Sequence, residues 1–280
     1  MSIPTITQHP AANRAVDPVS GLRFYELSHE WGHGVPTLPG YADPHIFRAV
    51  NHARHGVMSQ RIKTVMHTGT HLNAPHHMAQ RAQGVGELAL ERLFAPGVII
   101  SCPKGEWELV SADDLQAATP EVKAGEVLLI VTGWHRYYSD SQRYFAHSPG
   151  LDLSAANWLI ERGVAAVGVD TAQIDHPCAT SLADHRNGPT TPYLPRTYES
   201  QTGRKAIDDF PEWNPAHRAL AEAGIPTIEN VGGEIAELAG TRATIHALPW
   251  KWPEGDACPI RLMGIVDTTG DFRVDSGSES

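Results

Sequence analysis

The sequence predicts an α/β protein with a mixed β-sheet and few helices. Short apolar runs rich in β-branched residues end in turn residues, and they outnumber the segments with helical periodicity. Strands and helices do not alternate regularly, so the pattern differs from that of a regular βαβ protein. No segment repeats with a period of 20–50 residues, which argues against solenoids and propellers.

The individual elements follow from local signals. Strands are predicted at residues 22–28, 97–103, 126–133, 164–171, 225–231, 243–252 and 260–267. Helices are predicted at residues 111–118, 153–162 and 215–223. The third helix is the best marked, because Asn214 can cap it, Pro215 occupies its first position and Gly224 ends it.

The chain shows no clear linker, so we expect a single domain over residues 1–280. Residues 1–20 contain three prolines and little periodicity, which predicts an N-terminal arm. Residues 172–213 also lack a sustained period, and a long loop of this kind is usually a lid or an assembly arm. The aromatic residues of this segment argue against disorder.

The composition excludes several classes of protein. The 280 residues include 22 Lys+Arg and 32 Asp+Glu, and this acidic balance makes a nucleic-acid partner unexpected. No apolar run reaches the roughly 20 residues of a membrane helix, and the N-terminus lacks a secretory pattern. The three cysteines lie far apart, which argues against a disulfide framework. We therefore expect a cytoplasmic protein without a membrane partner.

The strongest local signal is a cluster of four histidines in residues 67–77, HTGTHLNAPHH. His67 and His71 have the spacing of helical zinc sites, but Gly69 and Pro75 disfavour a helix there. We expect a tight loop that follows a strand at residues 61–66 and makes the imidazoles converge. Solvated surface histidines and a phosphate-binding loop are weaker interpretations. Convergent imidazoles favour a metal site.

A second pair of candidates lies later in the chain. His217 is in the first turn of the predicted third helix, and Glu229 is near the end of the following strand. If this helix and strand pack antiparallel, the two side chains return to the same end. A carboxylate in the apolar run IPTIENV must be paired, so a solvated Glu229 is the weaker interpretation.

The histidine cluster resembles the HxGTHxDxPxH signature of the cyclase-type metal-dependent hydrolases, a family that includes bacterial kynurenine formamidase and isatin hydrolase. The resemblance continues in order along most of the chain. The further similar segments are YELSHEWGHGVPTLPG, VLLIVTGWHRYY, HSPGLDLSAANWLIERGVAAVGVDT, NPAHRALAEAGIPTIENV and ALPWKWPEGDACPIRLMGIV. This series is specific for the family and much less specific for the substrate. It implies a swivelling β/β/α fold that assembles as a homodimer or homotetramer.

The resemblance also implies the site residues. The implied metal ligands are His67, His71, Asn73, His217 and Glu229. The implied catalytic residues are His77, as the acid–base group, and Glu229. Trp31 and Trp134 are candidates for binding the substrate, with core packing as the alternative for each.

The family signature has an aspartate where this chain has Asn73, whose amide oxygen carries no negative charge. Three consequences are open: a single metal ion, a different metal ion or stronger polarisation of water, or loss of hydrolysis. We expect one divalent ion per chain, Zn²⁺ or Mn²⁺.

The resemblance implies a metal-dependent hydrolase. It would use metal-activated water to open a small cyclic amide or lactone, or to cleave an N-acyl, formamide-like bond. A metal-dependent lyase or dehydratase, and a catalytically inactive relative that binds a metal or ligand, are the alternatives. The expected partner is a small-molecule substrate.

Overall fold

The computed structural model describes residues 16–183, 191 and 193–268. Its strands are β1 (Leu22–Glu26), β2 (His45–Val50), β3 (Ser59–Lys63), β4 (His71–Asn73), β5 (Phe94–Ser101), β6 (Leu109–Val110), β7 (Val127–Val131), β8 (Gly150–Leu151), β9 (Ala166–Val169), β10 (Thr227–Glu229), β11 (Thr241–His246), β12 (Ala257–Pro259) and β13 (Met263–Asp267). Its α-helices are α1 (His52–His55), α2 (Leu90–Leu93), α3 (Ala112–Gln116), α4 (Ser141–Ala146), α5 (Leu153–Arg162), α6 (Leu194–Thr202), α7 (Ala206–Asp209), α8 (Pro215–Glu222) and α9 (Ile235–Leu238). Short 3₁₀-helices cover Pro75–His77, Val85–Glu87, Trp134–Tyr137 and Pro177–Ala179.

Nine strands form one mixed sheet in the order β1-β13-β11-β5-β7-β9-β10-β4-β12. The central strands β5, β7, β9 and β10 are parallel, and the strands on either side of them are antiparallel. Strands β2 and β3 form a separate hairpin, and β6 pairs with β8. The predicted α/β class, a mixed sheet with few helices, is confirmed.

Both faces of the parallel strands are buried, because successive residues alternate between two apolar cores. One core contains Val98, Ile100, Leu128 and Ile130, together with apolar residues of α3, α5 and α8. The other contains Ile99, Val127 and Leu129, together with residues of β11 and of the strands near the sheet edge. The apolar runs that predicted β5, β7 and β9 are therefore continuous rather than alternating.

A buried aspartate, Asp170, fixes the turn that follows β7. Its carboxylate accepts the backbone N–H groups of Thr132 and Gly133, at 2.9 and 2.8 Å, and lies 2.8 Å from Nδ1 of His135. The hydroxyl of Thr132 also donates to it, at 2.6 Å. The turn therefore has a fixed conformation at the carboxyl end of the parallel strands.

Several predicted boundaries are wrong. The strand predicted at residues 61–66 is β3, which pairs with β2 in the hairpin instead of entering the main sheet. Residues 71–73, expected in a loop, form β4, because this short segment completes the sheet between β10 and β12. Asn214 does not cap α8 with its side chain.

The segment 172–213 is not a structureless loop in the part that the structure describes. Helix α6 has Pro195 in its first turn and Gly203 as its left-handed cap, which are the usual start and stop signals. Cys178, Leu182 and Tyr198 belong to a third apolar core, so packing holds the segment in place. Residues 184–190 and 192 lie outside the described residues, as do residues 1–15 of the predicted N-terminal arm. No helix in the described ranges is long and apolar enough to cross a membrane.

Gly150 in β8 lies against the backbone of Asp175 and His176. These two residues belong to the segment that positions α8. A Cβ atom at residue 150 would overlap the backbone nitrogen of His176 and the carbonyl carbon of Asp175. Backbone atoms cannot rotate away as side chains do, so this contact requires glycine.

We predict that Gly150→Ala lowers the free energy of unfolding by about 2 kcal/mol or more, because the added methyl forces two backbone segments apart. Gly105→Ala is the matched control, since a Cβ there has its nearest neighbour at 3.5 Å. Urea denaturation of both variants measures the difference. Equal stability of the two variants would show that the close approach does not matter.

Candidate metal centre

The pairing of β4 with β10 places His71 directly opposite Glu229. The chain reaches β4 through a bend at Gly69, whose φ of 68° favours glycine. The carbonyl oxygen of Gly69 lies 2.8 Å from Nδ1 of His71, which leaves Nε2 to face Glu229. The register of the sheet, rather than helical spacing, therefore brings His71 to the carboxylate of Glu229.

His71, His217 and Glu229 form what we call the inner group. Nε2 of His71 lies 3.2 Å from Oε2 of Glu229, and Nδ1 of His217 lies 3.7 Å from Oε1. All three side chains are buried, and the backbone N–H of Ile174 donates to Oε1 at 3.1 Å. The expectation that His217 and Glu229 return to the same end of the fold is confirmed.

His217 is held by the first turn of α8, and a buried aspartate fixes that turn. The two carboxylate oxygens of Asp175 accept the backbone N–H groups of Ala216 and His217, at 2.8 and 2.9 Å. Asn214 adopts a left-handed conformation with φ of 44° just before the helix. Asp175 thus does what the sequence assigned to Asn214. Burial raises the pKa of Asp175 to about 7.

Asn73 is bonded at both ends of its amide. Its Oδ1 lies 2.8 Å from Nδ1 of His67, and its Nδ2 donates to the hydroxyl of Thr227 at 3.3 Å. That hydroxyl lies 3.0 Å from Nε2 of His217, so Asn73 and Thr227 connect two histidines. In this arrangement the amide oxygen of Asn73 orients the imidazole ring of His67. Hydrogen-bond partners of metal-binding histidines commonly orient the ring in this way.

His67, His77 and Asp256 form what we call the outer group. Nε2 of His67 lies 2.9 Å from Oδ2 of Asp256, and Nδ1 of His77 lies 3.9 Å from the same oxygen. One ligand atom from each residue lies within 4.8 Å of the others. Our sequence interpretation missed Asp256, because it lies far from the histidines in the chain and has no characteristic spacing to them.

The charges of the cluster suit a cation. Interaction with His67 holds the pKa of Asp256 at about 2. Burial favours a raised pKa for Glu229, but the neighbouring histidines, above all His71, lower it to about 2. Burial lowers the pKa of His77 to about 3 and that of His217 to about 4. Ionised carboxylates and neutral imidazoles are the forms that bind metal ions.

The inner group offers the nitrogen and oxygen ligands that a divalent ion uses. Nε2 of His71 is buried and has no hydrogen-bond partner among the residues that the structure describes, although it faces Glu229. With metal–ligand bonds of about 2.1 Å, ligand atoms around a tetrahedral ion are roughly 3.4 Å apart. The two nitrogen–oxygen separations, 3.2 and 3.7 Å, lie on either side of that value, and each runs to a different oxygen of Glu229. In the described part of the chain, no lysine or arginine pairs with Glu229 or Asp256.

A pocket opens beside both groups. Its lining includes the histidines at 67, 71, 77 and 217 and Glu229, together with Pro36, Leu38, Tyr41, Met78 and Phe145. Tyr41 and Phe145 are the aromatic residues of this wall, and our sequence interpretation did not single them out.

Neither tryptophan proposed for substrate binding lines this pocket. Trp31 donates its Nε1–H to the carbonyl of Thr68 at 3.1 Å and packs against Gly69, so it supports the histidine-bearing bend. Trp134 is buried in the third core, where its Nε1–H donates to the carbonyl of Tyr144 at 3.1 Å. Packing and indole hydrogen bonds place both residues outside the lining of this pocket, and their part in substrate binding stays a prediction.

Comparison with known proteins agrees with this site. A sequence profile described as putative cyclase matches residues 25–176, which is more than half of the chain. The protein belongs to this cyclase family. The match covers the histidine cluster of residues 67–77.

Two named relatives of this cyclase family member are hydrolases. An isatin hydrolase from Roseibium aggregatum is 26% identical over 217 residues, covering 71% of this chain and 72% of the relative. A kynurenine formamidase from Bacillus cereus is 28% identical over 198 residues, covering 71% and 75%.

Solved structures share the fold. Isatin hydrolase A from Ralstonia solanacearum superposes with a TM-score of 0.69 at 23% identity, covering 88% of this chain and 92% of that one. A predicted metal-dependent hydrolase from Bacillus stearothermophilus gives a TM-score of 0.62 at 20% identity, covering 88% and 98%. At these identities the likeness establishes the fold of the cyclase family for this chain.

We predict that Thr227→Val lowers the free energy of unfolding by about 1–3 kcal/mol, because it leaves polar groups of Asn73 and His217 buried without partners. Thr227→Ser, which keeps the hydroxyl, is the matched control. Thermal or urea unfolding of metal-free protein measures both variants. If the valine variant is as stable as the serine variant, the hydroxyl does not hold the two side chains together.

Proposed function

We propose that this protein is a metal-dependent hydrolase that cleaves an amide C–N bond, or an ester or lactone bond, in a small molecule. The observation that carries the proposal is the buried inner group, in which two imidazoles face one carboxylate beside a pocket. Three protein ligands with a position left for water or substrate are typical of catalytic metal sites. The hydrolase names of the relatives support the same activity.

We propose that His71, His217 and Glu229 hold one divalent ion per chain, Zn²⁺ or Mn²⁺. When bound, the ion would polarise a carbonyl oxygen and lower the pKa of a water molecule. Because Asn73 is engaged by His67 and Thr227, we assign it to orientation rather than to direct binding. His67 keeps its place beside the centre through this contact.

His77 is the residue that we propose to move the proton. It lies on the pocket wall with 23% of its side chain exposed, and its ring is 5.5 Å from that of His217. From this position it can take the proton from the attacking water and deliver it to the leaving nitrogen or oxygen. Glu229, whose pKa is lowered to about 2 by the neighbouring histidines, would supply the negative charge that holds the ion.

The substrate that we propose is a small aromatic compound with a cyclic amide or an N-formyl group. The pocket combines the polar histidine side with an apolar wall that contains Tyr41 and Phe145, and such walls suit an aromatic ring. The named relatives act on compounds of this kind, isatin and a kynurenine formamide. Assembly as a homodimer or homotetramer, a cytoplasmic location and the single domain stay predictions.

We predict that His77→Ala lowers kcat by at least about 100-fold, because proton transfer by a positioned side chain contributes on that scale. The tightly bound ion of the inner group should remain. Hydrolysis of isatin, N-formyl aromatic amines and aryl lactones, with product mass, measures turnover. A gain of one water distinguishes hydrolysis from elimination.

His76→Ala is the matched control, because this neighbouring histidine does not line the pocket. It should keep most of the activity. Unchanged turnover in His77→Ala would remove His77 from the mechanism. An inactive wild-type protein that binds the metal ion would favour a binding role instead.

A further inference from the structure

Asn230 lines the same pocket as the inner group, and it follows Glu229 directly at the end of β10. Successive side chains of a strand point to opposite faces of the sheet, so an extended residue 230 would turn away from the face of Glu229. Asn230 instead has a left-handed backbone with φ of 58°, a conformation that asparagine tolerates better than most residues. This break in the strand lets two consecutive residues line one pocket.

Hydrogen bonds fix the backbone of Asn230 on both sides. Its N–H donates to the carbonyl oxygen of Thr171 at 2.9 Å. Its carbonyl oxygen accepts the hydroxyl of Thr70 at 2.6 Å, and that hydroxyl in turn accepts the backbone N–H of His29 at 2.9 Å. Because Thr70 precedes His71 in the histidine-bearing bend, the same bend that carries this histidine also holds Asn230.

A buried tyrosine orients the side-chain amide of Asn230. The hydroxyl of Tyr144 lies 3.0 Å from Oδ1 of Asn230 and 3.3 Å from the carbonyl oxygen of Asp170, and both of these oxygens are acceptors. Burial holds the pKa of Tyr144 well above its usual value, so its hydroxyl stays a donor. A donor beside Oδ1 leaves Nδ2 on the other side of the amide. In the described part of the chain, Nδ2 of Asn230 has no acceptor.

The reaction proposed above develops negative charge on one oxygen atom. When the oxygen of water bonds to the carbonyl carbon, the π electrons of the C=O bond move to the carbonyl oxygen, and His77 takes the water proton. When the C–N or C–O bond then breaks, this oxygen forms its double bond again, and the leaving atom receives the proton from His77. A fixed N–H donor that faces the oxygen stabilises the transition state more than the substrate.

We propose that Nδ2 of Asn230 donates a hydrogen bond to the substrate carbonyl oxygen as it gains negative charge, and that Tyr144 positions this amide. Asn230 suits the role because its backbone and its Oδ1 are held by partners, whereas Nδ2 is left to a bound molecule. The amide is neutral, so it adds no negative charge next to Glu229. This role rests on the hydrolase activity proposed above.

The test uses two substitutions that fit a left-handed backbone, Asn230→Gly and Asn230→Asp. Glycine removes the amide, whereas aspartate keeps an oxygen for Tyr144 and replaces the donor with a second oxygen. On the isatin, N-formyl or lactone substrate that the wild type hydrolyses, each variant should lower kcat by about 10²–10³-fold. KM should change by less than about threefold, since the donor acts in the transition state. The number of Zn²⁺ ions bound per chain should stay the same.

Arg81→Gly is the matched control, because it places glycine at another left-handed residue, with φ of 67°, that does not line the pocket. It should keep the kcat of the wild type.

Tyr144→Phe tests the positioning role. We expect kcat to fall by about tenfold in the otherwise wild-type protein and to change by less than about twofold in Asn230→Gly, where the oriented amide is absent. A merely structural role of Tyr144 would lower kcat by the same factor in both backgrounds.

An active wild type whose kcat is unchanged in Asn230→Gly would overturn the role of Asn230 and leave the hydrolase intact. A loss carried by KM or by fewer bound Zn²⁺ ions would overturn it as well, because it would show a role in binding. A wild type that binds Zn²⁺ but hydrolyses none of these substrates would refute the proposed hydrolase, and the role of Asn230 with it.

Discussion

The site depends on one buried contact, the approach of the His71 imidazole to the Glu229 carboxylate across β4 and β10. Burying a carboxylate costs several kcal/mol unless partners compensate for the lost hydration. Here the partners are two imidazoles and one backbone N–H, with no arginine or lysine paired to Glu229 in the described residues. These groups are the ligands that we propose for a divalent ion.

The rest of the fold keeps those groups in place. Asp175 fixes the first turn of α8. The absence of a side chain at Gly150 lets the backbone of Asp175 lie close to β8. Asp170 fixes the turn after β7 in the same way. Both carboxylates accept backbone N–H groups, so each one stabilises a turn of the main chain next to the site. The hydrogen bonds from the backbone N–H groups offset the cost of burying these carboxylates.

The sequence predicted the class of fold, most strands and the residues that meet at the inner group. It succeeded where the signal was local: apolar runs for β5, β7 and β9, and the extents of α5 and α8. It failed where tertiary contacts decide. Residues 71–73 pair as a strand only because β10 and β12 lie beside them. Asp256 reaches the histidines through sheet register, which no spacing in the sequence reveals.

The central claim is that the buried histidines and Glu229 hold a divalent ion. Anomalous diffraction at the zinc and manganese edges, from crystals grown without added metal, tests it most directly because it locates the ion as well as identifying it. The account predicts an anomalous peak enclosed by His71, His217 and Glu229. No peak at this position, even in crystals soaked with Zn²⁺ or Mn²⁺, would contradict it.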